Sequence, residues 1–472
     1  MNNILSFGVS LPSFRIDEKV LSPQHGRKGN RAVIFSDEDI LTLGFSAAND
    51  CLNSYEKQYG SQSKVDAVLY ATTTPIFSNR YHASFVADLL ELPTGILAQD
   101  FTASPKSGSD ALILANQLIV SGAYHNILIV AADTYFPPVG EEMATPFGHA
   151  GCAVLVSDGE GVAEIKSTGT YSSAIAEEFT YKNKPVQLDA RFGRDAGFKS
   201  SISSSLKRFL EESILAPADY KSIILNSKYA RAALGLFKKT GFDTDNGLYR
   251  DSLQSQVGFT GACHALLLLT DCLTNITGDI LFIDYFNGTN ILHIEANEGI
   301  SGTDYIPSLL VKNTKIIETY QDYLALESAG NAASLRSQPQ EIFSSDMMAE
   351  REKGSLLHLK GYECQECKTV YFIEASRCSN CGHGEFKRRK LSKSGSIFTF
   401  TQEHYFPTAF PPVTMAVVDL DGGGRMTLQL TDEMRLIVKD DSLMGARVEL
   451  VLRKMIENDS KPNYFWKCRL VG

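Results

Sequence analysis

The sequence predicts an α/β protein: a duplicated, layered α/β domain, then a rubredoxin-like four-cysteine ribbon, then a small β-barrel. Three observations predict it. Residues 1 to about 300 carry one strand–helix–strand–strand pattern twice. Cys364 to Cys381 form two Cys-x-x-Cys knuckles. The rest reads as five short alternating strands separated by turns.

In the first half (residues 1–165), Val65–Tyr70 reads as a buried strand and Ala111–Gly122 as an apolar helix with a glycine stop. Ile127–Ala131 and Ala153–Val156 follow as strands. In the second half (residues 166–310), Ser222–Leu225 is the matching strand and Ala265–Leu273 the helix, ended near Gly278. Ile280–Asp284 and Ile291–Ile294 complete the unit. Continuous apolar strands suit sheets covered on both faces by helices, and two apolar helices between such sheets give five layers, αβαβα. Residues 311–353 are expected to form a helical linker, with helices over Thr314–Glu327 and Gln340–Lys353 and a joint at Ser337–Pro339. Residues 354–392 are the ribbon and 393–472 the barrel. Its strands, Gly395–Thr401, Thr414–Asp419, Met426–Leu430, Arg447–Leu452 and Phe465–Leu470, fit a Greek-key barrel of the OB type.

Ten residues separate Cys367 from Cys378, so Cys364, Cys367, Cys378 and Cys381 can place four thiolates tetrahedrally around one ion. Thiolates are soft ligands; zinc fits best and iron is the rival. A site closed by four protein ligands leaves no position for substrate, so its role is structural.

The 472 residues are 43% hydrophobic and 21% charged, which suits two or three globular domains. The five cysteines outside the knuckles show no paired spacing, which predicts a reducing, cytoplasmic setting. The N-terminus lacks the pattern of a signal peptide, and the apolar runs fall short of a membrane span, so no membrane is expected. A net charge of −10 argues against nucleic acid as a partner. Lys387–Lys390 with Phe398, Phe400, Tyr405 and Phe406 would be the basic and aromatic groups for that outside reading.

Four segments, Gln99–Ser104, Ser121–Asp133, Phe147–Ala153 and Val257–Ala262, occur in order on this scaffold. Through them residues 1 to about 300 resemble the thiolase superfamily, in particular its 3-hydroxy-3-methylglutaryl-CoA synthase and ketoacyl-ACP synthase III branch. The ribbon and barrel resemble the small acyl-CoA-binding module found beside such enzymes; Pro411-Pro412-Val413 and the turn after Leu420 match its pattern. The resemblance implies a thiolase-like fold, a coenzyme A thioester as substrate or ligand, and an acyl-CoA or acyl-carrier partner. It also implies a homodimer, formed by pairing of Ile127–Ala131 across a two-fold axis, or a hetero-complex with another enzyme of the superfamily. Lys387, Arg388 and Arg389 would meet the CoA phosphates, unless they are a solvated turn.

The same resemblance locates a gap in the chemistry. The family's nucleophilic Cys falls on Pro105, its His on Asn226, its Asn on Phe259, and its Glu near Thr73. Cys-dependent Claisen condensation is therefore not expected. A Cys-independent carbon–carbon reaction, of aldol or retro-aldol type, needs a base and a stabilised enolate instead. Candidate groups are His264 and Cys263 after the fourth segment, with His82 and Tyr81 set against a solvated-loop reading. Ser104 is a replacement nucleophile or, more simply, the cap of the helix that Pro105 begins. The alternative is a catalytically silent, CoA-binding subunit of a condensing-enzyme complex.

Overall fold

The computed structural model describes residues 2–21, 28–136, 146–181, 184–245, 248–249, 251, 253–297, 305–312, 314–331, 346–404, 412–432, 443–457 and 462–471. The joint at Ser337–Pro339, Tyr405, Phe406, Pro411 and the start of the expected second linker helix lie outside them. The chain divides into two compact units: residues 1–33, 43–88 and 92–320, and residues 34–42, 89–91 and 321–472.

The first unit is built on ten strands: β1 (Asn2–Ser10), β2 (Ala67–Ala71), β3 (Leu97–Phe101), β4 (Asn126–Asp133), β5 (Ala150–Ser157), β6 (Ala163–Ser172), β7 (Ser222–Asn226), β8 (Leu248–Tyr249), β9 (Gly278–Phe286) and β10 (Gly288–Ala296). They form one sheet in the order β8-β7-β9-β10-β6-β1-β5-β4-β2-β3. The duplication expected from the sequence is explicit in this order. β2 pairs in parallel with β3 and β4, as β7 does with β8 and β9. Antiparallel pairs continue each half, β4–β5–β1 in one and β9–β10–β6 in the other. The halves join where Asn2–Ile4 of β1 pairs with Ala163–Ile165 of β6.

Two central helices, α1 (Ser107–Val120) and α2 (His264–Asn275), pack into this framework. Helix α2 is buried from His264 through Thr274, as its run of four leucines predicts. Helix α1 departs from an all-apolar reading, for Leu114 and Val120 are exposed while Ala111, Leu112, Ala115 and Ile119 enter the core. The helix starts meet closely: a Cβ on Gly108 would lie 2.2 Å from the Ala262 carbonyl oxygen, so only glycine permits this approach.

Two expectations are corrected. Ile127–Ala131 is not an exposed edge; β4 is bonded on both sides, to β2 and β5. A continuous apolar run cannot afford a solvated edge. The outer strand of this half is β3, whose Gln99 and Asp100 make a half-buried pattern. The linker helix over Thr314–Glu327 also starts later. Lys315–Ile317 is a strand bonded in parallel to Phe14–Asp17, and the helix runs Tyr320–Asn331. Paired β-branched isoleucines satisfy a sheet edge better than a helix start. The described part of the second linker helix runs Asp346–Arg351, followed by a short helix Lys353–Leu356.

The second unit contains a three-stranded ribbon, with Lys360–Cys364 between Val370–Tyr371 and Phe386–Lys390. A five-stranded sheet follows, in the order Arg425–Gln429, Val413–Leu420, Ser394–Glu403, Arg447–Glu457, Pro462–Leu470. A bridge from Leu430 to Cys468 nearly closes it into a barrel. Residues 34–42 belong to this unit through a buried charge cluster. Lys467 Nζ lies 3.0 Å from Asp37 Oδ2 and 2.8 Å from Asp432 Oδ1. Burial alone would discharge Lys467, but the two carboxylates outweigh it and hold its pKa above the usual value.

Candidate functional site

In the first unit a cavity of about 290 Å³ opens beside the start of α1. Pro105, Asn226, Phe259 and Thr73, the four positions at which the family's Cys, His, Asn and Glu would fall, all line it. They are separated by up to 186 residues in sequence (259 minus 73). Pro105, Asn226 and Phe259 carry no nucleophile, and the Thr73 hydroxyl is held by Asp133, donating to its Oδ2 at 2.9 Å.

The approach to Pro105 differs from the expected capped helix. The segment Ser104-Pro105-Lys106 is a separate turn in which the Ser107 N–H donates to the Ser104 carbonyl, and α1 begins at Ser107. Ser104 Oγ donates to Asn287 Oδ1 at 3.0 Å and accepts the Lys106 N–H at 3.2 Å. It has no basic partner there to activate it.

Two buried aspartates hold the helix starts, each from the opposite half. Asp133, at the end of β4, accepts the Ala262 N–H just before α2 at 2.6 Å, and also accepts from Thr72, Thr73 and Thr74. Burial pushes its pKa up against those donors. Asp284, on β9, accepts from Ser109 Oγ in α1 at 2.6 Å and from Asn226 Nδ2 at 2.9 Å. Its burial pushes the pKa up to about 6, with Ser109, Lys106 and Asn226 opposing. The cavity residues Thr73 and Asn226 are thus fixed by these carboxylates.

His264 does not line the cavity. It is fully buried, with the Thr260 N–H 3.3 Å from Nδ1 and Asp251 Oδ2 2.9 Å from Nε2. With Nδ1 accepting, the ring proton lies on Nε2 and faces Asp251. Asp251 does line the cavity. Burial pushes this carboxyl up, but the His264 ring and the Gln254 N–H outweigh it, so its pKa lies below the usual carboxylate range. Cys263 is a core residue whose Sγ donates to the Thr260 and Ala150 carbonyls, and burial pushes its thiol far up. That environment suppresses the thiolate.

His82 lies buried rather than in a solvated loop. Its Nδ1 is 2.7 Å from Asp100 Oδ2, while Nε2 faces the Ile76 and Phe77 N–H groups. Asp100 also accepts the His82 and Ala83 N–H groups, which anchors the helix His82–Leu89. Tyr81 is exposed.

Sequence reasoning did not single out Asp251, Glu177, Glu178, Lys228 or Tyr285, all of which line the cavity. Lys228 Nζ lies 2.6 Å from Glu178 and 3.2 Å from Glu177. Tyr285 donates to Glu177 Oε1 at 3.0 Å, and burial with the nearby carboxylate raises the phenol's pKa. A π-helical turn, Gly193–Lys199, crosses close by, and a Cβ on Gly197 would lie 2.8 Å from the Tyr285 hydroxyl. The adjacent glutamates were the available signal, but pairing them with Lys228 and Tyr285 takes the folded chain.

In the ribbon, the sulfurs of Cys364, Cys367, Cys378 and Cys381 lie within 4.8 Å of one another, with Cys364–Cys381 at 3.6 Å and Cys367–Cys378 at 3.4 Å. A tetrahedron of metal–sulfur bonds of about 2.3 Å has edges of roughly 3.8 Å, so the four thiols suit one ion. The Cys378 N–H donates to the His383 carbonyl and the Gly382 N–H to the Cys378 carbonyl, which shapes the second knuckle. Lys387, Arg388 and Arg389 lie on a strand, not a turn. Lys387 and Arg389 meet Glu363 at 3.0 and 2.7 Å, and Arg388 stacks 4.0 Å above the Tyr362 ring.

The sheet order, the two helix starts and the cavity between them define the thiolase-like class. A family model described as 3-oxoacyl-[acyl-carrier-protein (ACP)] synthase III matches residues 99–173, and one described as the ChsH2 C-terminal OB-fold domain matches residues 388–453. The hydroxymethylglutaryl-CoA synthase of Caldivirga maquilingensis is 24% identical over 318 residues, spanning 63% of this chain and 89% of that protein. The DUF35 domain-containing scaffold protein of Methanocaldococcus jannaschii is 34% identical over 104 residues, spanning 21% of this chain and 71% of that protein. Among solved structures, an HMG-CoA synthase complexed with CoA superposes with a TM-score of 0.58 at 16% identity, covering 72% of this chain and 91% of that one. The synthase III of Aquifex aeolicus gives 0.53 at 20%, covering 62% and 100%. The first unit has the thiolase-like fold and is similar to the HMG-CoA synthases and synthase III, and the C-terminal ribbon and OB-fold belong to the DUF35 family. Among the described residues, no helix is long and apolar enough to cross a membrane.

Proposed function

We propose that the first unit binds a thioester carried on CoA or an acyl carrier and catalyses carbon–carbon bond chemistry of the aldol or retro-aldol type without an acyl-enzyme. One observation carries this reading: the cavity that holds Pro105 where a nucleophile would stand also presents the Asp251 carboxylate, backed by His264. In the cleavage direction Asp251 takes the proton of a β-hydroxyl. The oxygen's electron pair forms the new carbonyl as the Cα–Cβ bond breaks, and the released pair moves into the thioester as an enolate. Asn226, Ser227 and Lys228 are among the lining groups able to donate to the enolate oxygen. Proton return to Cα completes the exchange.

The four ribbon cysteines would hold one zinc ion, whose role is to fix the fold of the ribbon. The kinship of the C-terminal segment to a protein named as a scaffold favours a second reading, in which the chain organises a condensing-enzyme complex without catalysis.

Incubation of the full chain with 3-hydroxyacyl-CoA thioesters tests the choice. The expected result is release of a carbonyl fragment and a shortened thioester, with the protein mass unchanged throughout. An adduct on Ser104 or Cys263 would overturn the non-covalent mechanism. No turnover, with an active synthase recovered in the native complex, would favour the scaffold.

A further inference from the structure

The cavity wall carries a strong charge bias and a large aromatic surface, and together these select among acyl groups. Glu177 and Glu178 are buried to 5% and 6% exposure and share the single ammonium of Lys228. Lys228 is the only lysine or arginine among the described residues that line the cavity, and Asp251 adds a third carboxylate. Even with Asp251 left aside, two glutamates against one lysine leave excess negative charge. Lys228 is already engaged at 2.6 and 3.2 Å, so an incoming carboxylate would have to break an existing ion pair to reach it. The rest of the lining includes six aromatic side chains, Tyr135, Phe147, Phe179, Phe259, Tyr285 and Phe286, with the Phe147 and Phe259 rings 5.8 Å apart and edge-on. Ring faces and edges of this kind pack against apolar and aromatic groups.

We propose that the acyl group accepted here is uncharged and bulky, apolar or aromatic, and that carboxylate-bearing acyl groups are excluded by Glu177 and Glu178. This rests on the reading of the cavity as a thioester site and deepens it. A dicarboxylate-derived acyl chain would bring its free carboxylate against two buried carboxylates in a water-poor wall, where like charges repel more strongly than in water. Specificity built on a repulsive element needs no extra attraction for the favoured ligand.

The test is calorimetric titration of the full-length protein with 3-phenylpropanoyl-CoA, glutaryl-CoA and free CoA. The aryl thioester should bind at least about tenfold more tightly than glutaryl-CoA, a difference of about 1.4 kcal/mol. Glu178→Gln should narrow that gap at least about threefold by strengthening glutaryl-CoA. Glutaryl-CoA binding as tightly as the aryl thioester in the wild type would overturn the proposal while leaving a thioester site in place. If neither thioester binds better than free CoA, the proposal fails and the acyl-site reading fails with it. Selective binding without turnover would uphold the proposal and count only against the reaction.

Discussion

His264 Nε2 lies 2.9 Å from Asp251 Oδ2, and of the two only Asp251 reaches the cavity. In the proposed reaction the histidine is a positioning residue, and the carboxylate is the group that exchanges a proton with the bound ligand. Asp251→Asn should lower aldol-type turnover by about a hundred- to ten-thousand-fold, the usual contribution of a general base. His264→Gln should lower it less and move the acidic limb of the pH–rate profile upward, since the imidazole helps hold the Asp251 pKa down. An unchanged profile in His264→Gln, or full activity in Asp251→Asn, would remove the pair from the mechanism.

Asp284 gives a pH signature in stability. Its pKa rises from 3.8 to about 6 in the folded chain. The folded state therefore holds the proton more tightly than the unfolded chain, and ionising the group costs stability. The cost is absent below about pH 3.8, grows as pH rises, and is complete above about pH 6, reaching about 3 kcal/mol. Asp284→Asn cannot ionise. The stability of the wild type relative to that variant should thus fall by about 1.4 kcal/mol between pH 5 and 7.5 in paired thermal or urea melts. A difference that stays flat across this range would show that Asp284 titrates normally.

Metal analysis of protein purified without added metal should find close to one zinc per chain. Cys378→Ser, or a strong chelator, should unfold the ribbon, because metal binding supplies folding free energy directly, about 10–16 kcal/mol in small zinc domains. Limited proteolysis within residues 360–390 would report the loss. A ribbon that stays protease-resistant without metal would contradict this.

Strand β3 is expected to form the dimer edge. The Leu97 N–H donates inward to the Asp66 carbonyl, so by alternation the Ala98 N–H points away from β2. Ala98→Pro would remove that donor and disfavour edge-to-edge pairing. Sedimentation at micromolar concentration should show a dimer for the wild type and a shift toward monomer for the variant. A monomeric wild type would count against the dimer.

Much of the architecture follows from local pattern. Unbroken apolar runs such as Ile127–Ala131 and Ile280–Ile283 can only be stable where both faces and both edges are covered, and the leucines of α2 leave it no solvated face. Two Cys-x-x-Cys knuckles bring four sulfurs together within one short segment, so their grouping is a matter of chain geometry alone. Pro105 at the head of α1 also excluded an acyl-enzyme at that position from the sequence, since proline carries no nucleophile. The tertiary structure decided what no spacing encodes. Asp251 and His264 lie only thirteen residues apart, yet one lines the cavity and the other is sealed behind it. Glu177, Lys228 and Tyr285 come from three separate segments and meet only when the second half folds against its own sheet. Side-chain direction, burial and the sharing of one ammonium between two carboxylates are properties of packed neighbours. The chain acquires them only on folding, and they are what give this cavity its chemistry.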